Sequence, residues 1–211
     1  MNHVVLLGDS IFDNAAYVDG GPAVITQVQE RLPQGWRATL LAVDGSVIGD
    51  VLYQLERLPA DATHIIVSAG GNDALGRSDL LGDPAQSVAE VLQRLAAIAA
   101  EFERDYRRML EAVLRRNLAT ALCTIYYPAF PDPMMQRLAV TGLTVFNDCI
   151  IRAAIGAGLP LLDLRLICNS PTDYANPIEP SAAGGAKIAD VITRLVTQHD
   201  FTQRRTMVFV E

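Results

Sequence analysis

Four short segments hold the residue types that can do chemistry, three of them placed alike. Gly8-Asp9-Ser10 follows the apolar run 4–7, Gly49-Asp50 follows the run 38–43 and its glycine-rich turn, and Gly70-Gly71-Asn72-Asp73 follows the run 64–69. Short apolar runs between amphipathic stretches read as buried strands of a parallel sheet. In such a sheet the loops that follow the strands emerge at one end. A serine there, where a helix begins, gains from exposed backbone N–H groups and the positive helix end. A glycine lets a backbone N–H approach a substrate oxygen closely, and an asparagine amide adds a further donor. The N–H groups of Ser10 and Gly49 with the side chain of Asn72 would form an oxyanion hole, which stabilises the tetrahedral intermediate of acyl transfer. Each residue also has an ordinary reading. Ser10 suits a helix N-cap, Gly49 a plain turn, and Asn72 a loop whose backbone needs partners. Asp9 and Asp73 read as structural support, bonding loop N–H groups.

The elements that must position these loops follow along the chain. Strands are expected at 4–7, 38–43, 64–69, 119–125 and 160–164, and helical spacing covers 22–31 and 51–57. Asp83-Pro84 offers an N-cap and a proline at the first helical position. From there Val88, Val91, Leu95, Ile98 and Phe102 recur at helical spacing as far as Val113, as one long helix or two. Asp132-Pro133 opens another helix, running to about residue 157. The last starts near Ser181 and puts Ile188, Val191, Ile192 and Leu195 on one face. The alternation gives an α/β class: a flavodoxin-like three-layer α/β/α arrangement around a five-stranded parallel sheet, in a single domain over 1–200. Such sheets bind ligands beyond the carboxyl ends of their strands. Segment 165–180 reads as irregular, and 201–211 as a tail, an added edge strand or a partner contact.

GDSI at 8–11, the glycine of SVIGDV at Gly49 and the GGND segment ending at Asp73 resemble the first three blocks of the SGNH, or GDSL-type, hydrolases. Order and spacing match, and the resemblance spans essentially the whole chain. It implies a flavodoxin-like fold, serine catalysis on esters, thioesters or acylated sugars, and no metal. It also implies Ser10 as nucleophile, with Gly49 and Asn72 as oxyanion donors. The fourth block departs from the pattern. In the family an aspartate precedes the catalytic histidine by three residues, just before the final helix. Here the phrase is Asn176-Pro177-Ile178-Glu179-Pro180, with glutamate where histidine is expected and asparagine where aspartate is expected. No histidine lies near: His3 precedes the first strand, His64 opens the third at the end away from the site, and His199 ends the last helix. Glu179 then becomes the candidate base, with Asn176 to orient it and Asp173 or Tyr174 to assist. An unperturbed glutamate titrates near 4.3 against about 6.5 for histidine, a deficit of about 3 kcal/mol as a base. Burial narrows that gap. A carboxylate turns neutral on protonation and needs no aspartate behind it, so the paired replacement is chemically coherent. The ordinary reading of Glu179 is a carboxylate that complements a helix dipole.

Composition narrows the function classes. A net charge of -7 and a pI near 4.9 argue against nucleic acid and anionic membranes, which need basic patches. Cys123, Cys149 and Cys168 are odd in number and widely spaced; they read as core thiols in a reducing compartment. No HExxH, CxxC or His/Asp cluster calls for a metal or a cofactor. The N-terminal apolar run is short for a signal peptide, and cleavage after it would remove the serine motif. No run of about 18 apolar residues suggests a membrane span. The expectation is a cytoplasmic protein with a small-molecule acyl ester as partner and neither nucleic acid nor membrane. Three functions stay open: a hydrolase of a small ester, thioester or O-acetyl group through acyl-Ser10, an inactive binding protein with the same pocket, and an acyltransferase using the same serine. The first and third share their acylation step.

Overall fold

In the computed structural model, which describes residues 2–210, the apolar runs become a parallel sheet. Its strands are β1 (Asn2–Gly8), β2 (Trp36–Leu40), β3 (His64–Ser68), β4 (Ala119–Cys123) and β5 (Leu161–Leu162). The expected five are joined by a sixth strand within the sheet. Beyond a hairpin described below lies β8 (Val208–Phe209), which pairs in parallel with β5, so the C-terminal segment is an added edge strand. The order is β2-β1-β3-β4-β5-β8, the flavodoxin-like order with one strand appended. The order reverses between β1 and β3, which is where such sheets open a crevice. Ser10 follows the first of these strands and Asn72 the second.

Strand alternation divides the core into two. Val4 and Leu6 face α1 (Val24–Arg31) and α7 (Ala182–Gln198), with Val28, Ile188 and Ile192 packed on them. Val5 and Leu7 face the other layer, made by α2 (Val51–Glu56), α4 (Val88–Leu114) and α5 (Pro133–Ala157). The long amphipathic stretch is thus one helix of 27 residues. It starts later than Asp83-Pro84 suggested. Ser87 is the N-cap and accepts the Glu90 N–H at 3.1 Å, while the Glu90 carboxylate reaches back to the Gln86 N–H at 2.8 Å. This Ser-x-x-Glu pattern satisfies two free N–H groups reciprocally and outcompetes the proline signal. Asp132 does cap α5, accepting the Met135 N–H at 2.6 Å. By length and a mean hydropathy of 1.5, α5 is apolar enough to cross a membrane. The helix holds no unbroken run of about 18 apolar residues, since Gln136, Arg137, Asn147 and Asp148 interrupt it, and a core helix passes the same two criteria. Its Phe146, Cys149, Ile150 and Ala154 are buried against the core.

Segment 165–180 is more ordered than expected. It holds the short α6 (Leu164–Ile167), a 3-10 turn at Pro171–Asp173, and an antiparallel hairpin of β6 (Tyr174–Asn176) and β7 (Glu179–Pro180). The remaining helix, α3 (Gly71–Leu75), follows β3. His3 lies inside β1 rather than before it. It is buried, with its ring nitrogens 3.1 Å from Asp61 Oδ1 and 2.8 Å from Thr39 Oγ1. His64 opens β3 and His199 follows α7; both pack edge-on against Phe201. All three histidines lie at the amino end of the sheet strands or near it, opposite the loops that carry Ser10 and Asn72.

Candidate active site

Gly8 ends β1 at φ 129°. A Cβ there would sit 1.6 Å from the Ser68 carbonyl oxygen, so only glycine lets the chain turn over the end of β3. The Gln54 carboxamide fixes that turn: its Oε1 accepts the Gly8 N–H and its Nε2 donates to the Gly8 carbonyl, each at 2.8 Å. After it, the Asp9 carbonyl accepts the N–H groups of Phe12 and Asp13, and Asp9 Oδ1 accepts the Ile11 N–H at 3.2 Å. Ser10 therefore stands on a tight turn, not at the first turn of an α-helix, which begins only at Val24. The expected helix-dipole contribution is absent at this serine.

The hairpin brings Glu179 to it. Ser10 Oγ donates to Glu179 Oε1 at 3.0 Å, and the two residues are only 7% and 6% exposed. Glu179 Oε2 is buried with no hydrogen-bond partner among the described residues. The hairpin is held from three sides. The Tyr126 hydroxyl donates to the Ile178 carbonyl, the Ala129 N–H to the Pro177 carbonyl at 2.8 Å, and the Asn14 amide to the Pro180 carbonyl at 3.2 Å. Tyr126, Asn14 and Gln54 were not singled out in the sequence. Nothing local marks them, since the partners named here lie 46 to 166 residues away.

Asn72 and Asp73 tie the third loop to the second. Asn72 Nδ2 donates to the Ser46 carbonyl at 2.9 Å, and Asp73 Oδ2 accepts the Ile48 N–H at 3.0 Å. Asn72 shares a cavity wall with Ser10 and Glu179. Gly49 lies outside that wall, exposed in the 3-10 turn Ile48–Asp50 that leads into α2. Asn176 is exposed, and its Oδ1 accepts the Ile178 N–H at 3.0 Å; it shapes the hairpin turn and is not bonded to the base. Asp173 is buried but occupied elsewhere, its Oδ2 accepting the N–H groups of Asn169 and Ser170 and the Lys187 ammonium at 3.1 Å. Tyr174 donates to the carbonyls of Tyr127 and Cys168, bracing the same hairpin.

Burial dominates the electrostatics. It pushes Glu179 up to about 7, against the lowering effect of the Ser10 hydrogen bond and with help from the negative charge of Asp44. Asp9 is also pushed up to about 7 by burial; the Ile11 N–H opposes this, and the charges of Glu179 and Asp73 add to it. Asp73 is raised by burial and held back by the Ile48 N–H. The base deficit expected of a glutamate is closed in this way, because the carboxylate gives up water without gaining a cation. Among the described residues, no group of three or more His, Cys, Asp or Glu side chains is placed to hold a metal.

The sequence profile of the GDSL-like lipase/acylhydrolase family matches residues 6–187, which include the serine loop, the asparagine loop and Glu179. The chain belongs to this family. As a GDSL-like acylhydrolase it is an ester hydrolase, and its fold has solved counterparts. A G-D-S-L family lipolytic protein from Veillonella parvula superposes with a TM-score of 0.70 at 14% identity, over 94% of this chain and 100% of the other. A lipase from a goat rumen metagenome gives 0.69 at 17%, over 90% and 95%. An acetyl xylan esterase gives 0.66 at 18%, over 93% and 100%. No curated protein sequence matched. At these identities the neighbours establish the fold of the family member and leave its residue roles to its own geometry.

Proposed function

We infer that the protein is a serine ester hydrolase that passes an acyl group through Ser10, with Glu179 acting on the serine directly as general base. The observation that carries this reading is the 3.0 Å hydrogen bond from Ser10 Oγ to Glu179 Oε1 in the wall of a cavity. Oγ attacks the ester carbonyl carbon as its proton passes to Oε1, and the carbonyl electron pair moves onto oxygen. The Ser10 N–H group and the second N–H of the Asn72 amide, both in that wall, serve as donors to that oxyanion; Gly49, outside it, is left out of the set. Collapse expels the alcohol, which takes the proton back from Glu179. A water molecule then repeats the sequence on acyl-Ser10, releasing the acid. A carboxyl near 7 is part ionised at neutral pH, so it serves as base in one half-step and acid in the next. The neighbours' names, a lipase and an acetyl xylan esterase, agree on ester chemistry and differ in the acyl group, which has to be read from this chain's own pocket.

A fluorophosphonate probe tests the reading. Labelling of the wild type at pH 8 that is absent in Ser10→Ala is the expected result. No labelling between pH 6 and 9, with Glu179 ionised over the upper part of that range, would instead make the protein a binding module.

A further inference from the structure

The cavity beside Ser10 gathers most of its polar groups at one end. Asp9, Ser10, Asn72 and Glu179 stand there, and Oε2 of the nine-tenths buried Glu179 has no partner at that end. Arg77 and Ser78 also touch the wall, between Leu75 and Leu80, and Arg77 is paired with Glu101 at 2.8 Å. The rest of the wall is largely aliphatic and aromatic. Leu75, Leu80 and Leu81 come from α3 and the segment after it, and Leu95 and Ile98 from α4. From α5 come Met135, Leu138, Ala139, Gly142, Leu143 and Phe146, spaced by three and four so that one helix face lines the slot. Its closed side is Phe146, buried edge-on against Phe102 with ring centroids 5.0 Å apart. Its open side is rimmed by Leu81 and Leu138, both exposed.

Such a wall offers few hydrogen bonds to sugar hydroxyls or peptide groups, and burying those unpaired is unfavourable. Methylene groups gain from every contact there. The cavity measures about 220 Å³. An apolar protein cavity of about 150 Å³ takes up benzene, six carbons, so the same filling gives about nine carbons here.

Gly142 sharpens the assignment. A glycine in a helix interior is unfavourable relative to alanine, and packing does not require this one: beyond its own stretch of helix backbone, no atom of the described residues lies within 4 Å of where its Cβ would be. Gly184 and Gly185 of α7 differ, since Asp173 and Val24 with Gln27 press on them at 2.2 to 3.2 Å. A side chain at 142 would enter the slot instead of the protein.

We propose that this slot binds the acyl chain of the substrate, an unbranched aliphatic chain of medium length, and that Gly142 is the specificity-determining residue that leaves room for it. The assignment rests on the reading of Ser10 as nucleophile, because the serine at its polar end is what makes the slot an acyl site.

The test is a chain-length series of p-nitrophenyl esters from acetate to palmitate, run on the wild type and on Gly142→Leu. The wild type should prefer chains of about eight to ten carbons over acetate by about tenfold or more in kcat/KM, as methylene recognition in an apolar pocket allows. Gly142→Leu should lose that preference by about tenfold, its kcat/KM for the eight- to ten-carbon esters falling relative to that for acetate. Gly142→Ala, with a thermal midpoint at or above that of the wild type, controls for folding. Octan-1-ol, a neutral probe that the Glu179 charge does not repel, provides a readout without turnover. It should bind saturably to Ser10→Ala and not to the double variant with Gly142→Leu. Ester turnover with no chain preference, unchanged by Gly142→Leu, overturns the slot and leaves the serine reading standing. Saturable octan-1-ol binding that Gly142→Leu removes, with no ester hydrolysed, upholds the slot as an aliphatic-chain site and overturns the serine reading.

Discussion

Replacing Glu179 by glutamine should separate what the carboxylate does for catalysis from what it costs the fold. Burial raises its pKa from 4.5 to about 7. At 1.36 kcal/mol for each tenfold change in proton affinity, the folded state disfavours the ionised form by about 3 kcal/mol. The folded protein holds this proton more tightly than the unfolded chain, so stability falls as pH rises from about 4.5 to about 7 and levels off above. Below about 4.5 the group is protonated in both states and contributes nothing. Glutamine removes the charge but places an amide where Oε2 finds no partner, which returns about 1 kcal/mol. Glu179→Gln should therefore stabilise the protein by about 2 kcal/mol at pH 8.5, a rise of about 4–8 °C in Tm at this chain length, and give no gain at pH 4. Turnover at pH 7 should drop by about 10²–10⁴-fold, the usual contribution of a general base. Wild-type kcat/KM should rise with pH through about 7. Calorimetry at the two pH values and a pH–rate profile make the measurement. A glutamine variant no more stable than the wild type at pH 8.5, with its turnover intact, would refute the account of Glu179 as a strained, buried base.

Other outcomes follow from the same geometry. Asn72→Ala should lower kcat by about 10²–10³-fold with little change in KM, as removal of one oxyanion donor does; a KM effect alone would place Asn72 in substrate binding. Gly8→Ala puts a methyl group 1.6 Å from the Ser68 carbonyl oxygen and should cost more than about 4 kcal/mol or prevent folding, so a stable alanine variant in denaturant titration would overturn the described turn. Tyr126→Phe removes the hydroxyl that holds the Ile178 carbonyl. The loosened hairpin should admit water to Glu179 and move the acid limb of the pH–rate profile to lower pH; an unmoved limb would show that the hairpin is held without it.

Much of the fold is written locally, and those parts were legible. The five apolar runs, the Asp132-Pro133 cap and the helix after Ser181 each depend on neighbours in sequence and all form, though β2 starts two residues earlier and ends three earlier than its run and β5 is shorter than its run. The parts that were not legible depend on partners far away. β8 is two residues long and becomes a strand only because β5 offers it an edge. Asp83-Pro84 carries a start signal that the Ser87 and Glu90 pair overrides. In the site, Ser10, Asn72 and Glu179 could be found from motif blocks, and the structure brings them to one cavity. Asn176 shows the limit of that method: its place in the fourth block suggests a partner for the base, while its side chain closes a two-residue turn.

The carboxamide of Gln54 does for Gly8 what an adjacent strand residue would do, answering both its N–H and its carbonyl. The last rung of β1 is therefore shared: Gln54 of α2 bonds both groups of Gly8, and the Val43 N–H also donates to its carbonyl at 3.1 Å. Hydrogen exchange at the Gly8 amide requires α2 to lift away, so that helix and the serine's turn open as one cooperative unit. Residues 81–89 are exposed and are tied to α4 through surface contacts, Arg94 with Asp83 and Pro84 and Glu90 with Gln86 and Ser87, so they open more easily. The serine proposed to react thus stands in a slow-opening piece of structure and the rim of the proposed slot in a faster one, so that where the two differ by about 4 kcal/mol the rim opens about a thousand times for each opening of the serine's turn.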